Sequence, residues 1–274
     1  MENKEITIIS KITNMMYKLF CCSFFLLSFA CNNNPKKEST NNVQKVNKET
    51  IIENATFIKN IPLPDGYTRI ENGEDSFASY LQNVVLKEDK TVYKFDGTPK
   101  YNQDAQYAVL DISVDKKDLQ QCADAVMRLR AEYLYTQERF AEIIFTDNEN
   151  IKYKFEAPYT RDNFAKYLNK VFGMCGSASL AKQLKPASSM SNIAAGNVII
   201  RGGFPGHAVI VMDVAQNAAG EKIYLLAQSY MPAQDIHVLK NPMDENLSPW
   251  YAATENEIIY TPEYTFKKSE LMAW

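Results

Sequence analysis

Histidine occurs at two positions, His207 and His237, and beyond Cys31 cysteine occurs only at Cys122 and Cys175. Any thiol–imidazole chemistry must be assembled from these four side chains. Cys175 stands before Gly176-Ser177-Ala178-Ser179-Leu180-Ala181-Lys182-Gln183, a run that suits a short helix entered from a loop. A cysteine at a helix N-terminus has its thiolate stabilised by the dipole and by free backbone N–H groups, and the same groups can hold an oxyanion. His207 follows Pro205-Gly206 and opens an apolar run to Val214. An imidazole there could take the thiol proton if a polar neighbour oriented it. Gln216–Gly220 reads as a turn between apolar runs, which pairs His207 with about Gln228 or Ser229. The candidate catalytic set is therefore Cys175, His207 and Gln228. Cys175 also reads as a free or disulfide-bonded small residue, and His207 as a hydrogen-bonded residue beside a turn.

These side chains need elements to hold them. Leu119, Cys122, Val126, Leu129 and Tyr133 recur at helical steps, with Asp115 placed as N-cap and Asp118 in the first turn. On that stripe Cys122 reads as a small core residue. Gln121, Asp124, Arg128 and Glu132 share another face, whose ordinary meaning is a solvated helix surface. A second helix is expected over Arg161 to Val171, capped by Thr160, and the Ser/Asn-rich stretch from Pro186 to Asn192 breaks the chain after the third. Strands are expected at Val198 to Ile200, His207 to Val214, Lys222 to Ala227 and Ile236 to Leu239, the middle two as a hairpin. His237 alternates with Ile236 and Val238, so the pattern points it outward. The fold class that follows is α+β, with helices packed on a mainly antiparallel sheet.

A second functional class is a binding module. Ser229, Tyr230, Gln234, Trp250 and Tyr251 combine amide, hydroxyl and aromatic groups suited to a glycan or peptide held in a groove. A third is a structural envelope component. His207, His237, Asp213 and Asp235 have no recognised metal spacing, and no cofactor motif is read, so neither a metal nor a cofactor is assigned.

The first thirty residues follow the order of a secretory signal: lysines, the apolar run Leu19 to Phe29, then Ala30 before Cys31. The run is shorter than the roughly 20 residues a membrane-spanning helix needs. Leu27-Ser28-Phe29-Ala30-Cys31 resembles a relaxed Bacteroidetes-type lipobox, which implies cleavage before Cys31, lipid on its thiol and anchoring on a membrane at the cell envelope, on the periplasmic face of the outer membrane. Residues 31–60 are rich in Asn, Lys, Glu, Ser and Thr and read as a flexible tether. Residues 61–274 read as one domain, with a change of pattern near 157 that would allow a subdivision. Three lysines and two glutamates leave with the signal, taking the formal charge from -3 to -4. No basic stripe remains to neutralise phosphates, which argues against nucleic acid as a partner.

Two resemblances extend this reading. The order Cys175, His207, Gln228, with the cysteine on a helix and the histidine on an antiparallel sheet, resembles papain-like cell-wall peptidases of the NlpC type. Gly196-Asn197-Val198-Ile199-Ile200 echoes the Gly-Asp-plus-apolar strand of that family, while Met174-Cys175-Gly176-Ser177 stands where it carries Asp-Cys-Ser-Gly. The likeness implies a papain-like C-terminal half and hydrolysis of peptidoglycan peptides. Pro205-Gly206-His207-Ala208-Val209-Ile210-Val211, Leu226-Ala227-Gln228-Ser229-Tyr230-Met231-Pro232-Ala233-Gln234 and Ser248-Pro249-Trp250-Tyr251 resemble an uncharacterised family of Bacteroidetes-type lipoproteins, a domain of unknown function. That likeness reaches upstream to Asp118-Leu119-Gln120-Gln121-Cys122-Ala123-Asp124, and names no activity.

Overall fold

A computed structural model describes residues 56–274; the expected signal, the expected lipidation site Cys31 and most of the expected tether lie outside them. The described residues fall in one compact unit. In chain order the strands are β1 (Thr56–Phe57), β2 (Tyr67–Arg69), β3 (Val85–Leu86), β4 (Gln106–Val109), β5 (Ile144–Thr146), β6 (Lys152–Lys154), β7 (Lys185–Pro186) and β8 (Val198–Arg201). They continue as β9 (His207–Asn217), β10 (Lys222–Gln228), β11 (His237–Leu239), β12 (Tyr251–Ala252), β13 (Ile258–Tyr260), β14 (Thr265–Lys267) and β15 (Leu271–Ala273). The helices are Phe77–Gln82, Cys122–Thr136, Arg161–Met174 and Ser177–Gln183. The fold is α+β, and its nine-stranded sheet runs β4-β11-β10-β9-β8-β15-β7, with β12 beside β10 and β2 beside β9, every pair antiparallel.

The central strand β9 is buried continuously from His207 to Ala215, because both faces of the sheet are covered. Ala208, Ile210 and Met212 point to the helices and share one core with Val126, Leu129 and Tyr133 of the Cys122–Thr136 helix. Val209 and Val211 point the other way, into a second core with Tyr224, Leu226, Leu239 and Phe266, closed by the β13–β14 hairpin. The near-unbroken apolar run after His207 is the sequence signal for that double burial. The β9–β10 hairpin turns where expected, and a bulge between Leu225 and Leu226 shifts the register so that Ala227 lies opposite Ile210. His207 and Gln228 consequently lie on the same face as Val209 and Leu226, two strand steps rather than one apart.

Four expectations change. The folded part begins inside the expected tether, since Thr56–Phe57 pairs with Val85–Leu86 and Ile58 is fully buried. Asp115 does not cap the first long helix: its φ of 67° lies in the left-handed region. The chain arrives through a tight turn from Leu119 O to Gln121 N–H, and the helix starts at Cys122, where the Asp124 carboxylate takes the Gln121 N–H at 3.0 Å. Asp118 cannot serve the first turn because its Oδ1 accepts the Ala233 N–H at 2.7 Å, pinning that loop to the sheet. His237 points inward and is fully buried. Finally, Arg128 and Glu132 are only 21% and 15% exposed, so their face is not a solvated one. The Arg161–Met174 helix matches its expectation, with Thr160 Oγ1 accepting the Asn163 N–H.

Candidate active site

His207 sits at the first position of β9, and the backbone before it is tightly confined. A Cβ on Gly206 would lie 2.2 Å from Ser177 Oγ and 2.6 Å from Arg201 O, so only glycine fits where the chain turns into the strand. The imidazole Nε2 lies 2.8 Å from Gln228 Oε1. Gln228 gives its amide N–H to Glu263 Oε2 at 2.8 Å, and Glu263 is held by an ion pair to Lys100. This chain of contacts fixes a proton. A carboxylate accepts only, so the Gln228 amide nitrogen must face Glu263 and its oxygen must face His207. Nε2 then carries the hydrogen, and Nδ1 is left as the basic lone pair.

The second histidine completes the arrangement. Its Nδ1 donates to Asp235 O at 2.9 Å, leaving its Nε2 to accept from Gln228 Nε2 at 3.5 Å. Rings of Tyr230, Tyr264 and Phe266 surround His207 with centroids 4.7, 4.8 and 5.8 Å away. Burial pushes the His207 pKa down to about 4, opposed by the Gln228 hydrogen bond and the Glu263 charge. Burial likewise brings His237 down to about 3. Both rings are neutral at physiological pH, the form a general base requires.

The two cysteines are free and buried, and they line one cleft of about 370 Å³ together with Ser177, Pro205, Gly206 and Met231. Cys175 ends the Arg161–Met174 helix and precedes the Ser177–Gln183 helix by two residues, its thiol next to the Ser179 hydroxyl. Cys122 is the first residue of a 15-residue helix. Burial pushes the Cys122 thiol up to about 11, with the Asp124 charge adding to the rise and the nearby backbone of Ala123, Ala208 and Cys122 opposing it. Ala208 directly follows His207, so Cys122, rather than Cys175, lies beside the backbone of the His207 strand. The sequence signal for it is the Asp118–Asp124 segment, in which Cys122 also fits the middle of an apolar stripe.

The five groove residues divide. Ser229 is fully buried, donating to Gln120 O and Gln234 O, while Gln234 is buried beside it. Trp250 is a core residue whose Nε1–H bonds Pro62 O at 2.8 Å. Tyr251 lines a cavity of about 430 Å³ on the face away from the helices. Tyr230 remains at the histidine. Asp213 and Asp235 are tied to Arg69 and Lys87, apart from any shared centre with the histidines.

The sequence model of a protein family described as Domain of unknown function (4846) matches residues 57–157 and 146–273. The chain belongs to that family. The first matched segment carries Cys122 and the second carries Cys175, His207 and Gln228, so the site of this family member is assembled from both. Neither the curated proteins nor the solved structures contain a match. No helix among the described residues is long and apolar enough to cross a membrane.

Proposed function

We propose that this chain is a lipid-anchored envelope cysteine hydrolase that cuts peptide bonds of the cell wall, with Cys122 as nucleophile, His207 as base and Gln228 as the residue that orients the imidazole. The observation that carries the reading is the proton assignment along Glu263, Gln228 and His207, which leaves Nδ1 of a neutral imidazole as acceptor at the start of the strand that follows Gly206 of the cysteine cleft. The resemblance to papain-like cell-wall peptidases of the NlpC type supplies the substrate class, and the signal order before Cys31 supplies the compartment.

His207 lies on the sheet face away from the helix that carries Cys122, so in the proposed reaction the thiol proton passes round the start of β9 to His207 Nδ1 as the sulfur attacks the scissile carbonyl carbon. The oxyanion is held by the N–H groups at the start of the helix, favoured by its dipole. The amine leaves with the proton from His207, giving a thioester and a free amine. Water, deprotonated by His207, then hydrolyses the thioester and restores the thiol. Because burial raises the thiol and lowers the imidazole, the resting pair is neutral, and the proton leaves the sulfur in step with attack on the carbonyl, not before it.

Cys122→Ala should abolish release of new amino groups from purified muropeptides, whereas Cys175→Ala should retain activity within a few-fold. Both variants are checked for native thermal unfolding. Full activity in Cys122→Ala would overturn the assignment, and loss in Cys175→Ala alone would move the nucleophile to Cys175.

A further inference from the structure

The Arg128–Glu132 pair does not belong to a solvated helix face. It lines a cavity of about 220 Å³ between the Cys122–Thr136 and Arg161–Met174 helices, adjoining the cysteine cleft through Phe172, which lines both. Glu132 sits between two guanidinium groups, with Oε1 bonded to Arg128 Nε and Oε2 to Arg161 Nη1. Both of its oxygens are therefore spent, and the two arginines are held converging on the cavity. Arg128 also gives Nη1 to Gln120 Oε1 at 3.0 Å. That bond occupies the amide oxygen of Gln120, which is itself a wall residue of the cavity. Gln120 is 2% exposed, and among the described residues its Nε2 has no hydrogen-bond partner.

A buried donor is met in a native fold by an ordered water or by a ligand, and here it stands in the wall of a cavity. The acceptor that best matches an amide N–H beside guanidinium N–H groups is a carboxylate, whose two oxygens take planar paired donors. We propose that this cavity binds a free carboxylate of a peptide, beside the cysteine cleft. Naming the ligand as a peptide rests on the hydrolase reading; the choice of a carboxylate rests on the donor set. Leu119, Phe164 and Leu168 form the apolar part of the wall, which suits a side chain next to that carboxylate. Asp115 also lines the cavity, with its oxygens engaged by the Lys116 N–H and Asn169. Two guanidinium groups against the Glu132 and Asp115 carboxylates leave little net charge. Directed donors, not long-range attraction, then carry the affinity, and binding should change little with salt.

The test is calorimetric titration of the chain carrying Cys122→Ala, which cannot turn over, with acetyl-D-Ala-D-Ala and with its C-terminal amide. The acid should bind at least about 10-fold more tightly than the amide. Gln120→Glu keeps the acceptor for Arg128 but places a carboxylate oxygen where the free donor was, and should remove that preference. Arg161→Met, at a side chain that is more than half exposed, should weaken acid binding without unfolding the chain. Equal affinity for acid and amide, acid binding untouched by both substitutions, or no binding up to about 10 mM would overturn the proposal. Because the titration needs no catalysis, its failure is distinct from failure of the Cys122 assignment, which is read by hydrolysis.

Discussion

Cys122 and Cys175 face the same cleft, are buried to the same degree and have thiols pushed up to about 11, yet their backbones differ. Cys122 opens a long helix, and the backbone around it, including Ala208 of the His207 strand, opposes the rise of its thiol. Cys175 closes a helix, meets a serine hydroxyl, and has the Asp147 and Asp124 carboxylates raising its thiol further. Burial and pKa therefore do not separate a nucleophile from a packing residue here. What separates them is which donors surround the sulfur and whether a base can be oriented toward it.

The largest effect that could break this contrast lies at the imidazole. His207→Ala should lower muropeptide hydrolysis by about 1000-fold, within the range for losing a positioned base. Gln228→Ala, which frees the ring to change tautomer, should cost about 10- to 100-fold and leave substrate KM nearly unchanged. Rates of native-state alkylation at Cys175 should be the same in both variants. Unimpaired hydrolysis by His207→Ala would end the Cys122 assignment, and altered alkylation of Cys175 would mean that the relay serves the other sulfur.

The acid-stability profile tests the next level down, the protonation of the two imidazoles that Gln228 joins. An unfolded histidine titrates at its ordinary value near 6.5, whereas folded His237 takes a proton only at about 3. Between those values the unfolded chain binds the extra proton. His237's contribution is therefore intact above about pH 6.5 and is lost as pH falls toward 3. The slope is about 1.4 kcal/mol per pH unit. Denaturant unfolding of the parent chain and of His237→Gln between pH 7 and 4.5 should differ by about that slope. Asp124 and Asp213 have folded values raised by burial and act in the opposite sense, but they are common to both proteins and cancel in the difference. Parallel profiles would mean that His237 is protonated in the folded chain, and the proton assignment along Gln228 would have to be redrawn.

The elements that periodicity can reach were legible: the β9–β10 hairpin, the Thr160-capped helix and the pairing of layers all follow from apolar spacing and turn residues. The meeting of His207 with Gln228 was legible for the same reason, although the bulge at Leu225 and Leu226 altered how they meet. The start of the Cys122 helix was not. Leu119 continues the apolar stripe backward, and nothing local reveals that Asp118 is held by Ala233, more than a hundred residues away. His237 misled for a related reason, since a strand covered on both faces has no outward side. Glu263 was invisible because its role depends on Lys100 and Gln228, which only the fold brings together.

The smallest effect is expected on the Cys175 side. Ser179 is buried, and its hydroxyl takes the Gly176 N–H at 3.0 Å while donating to Gly176 O, closing the turn that follows Cys175. Ser179→Ala leaves that N–H without its side-chain partner and should destabilise the chain by about 1 kcal/mol, read as a shift in denaturant midpoint at constant slope. It also removes the hydroxyl that favours the Cys175 thiolate, so alkylation of Cys175 should slow modestly. Muropeptide hydrolysis should not change, because no donor to the Cys122 thiol is touched. A tenfold loss of hydrolysis with the fold intact would mean that the Ser179 and Cys175 turn takes part in the reaction. The two sulfurs would then have to be treated as one site, not as a nucleophile and a packing neighbour.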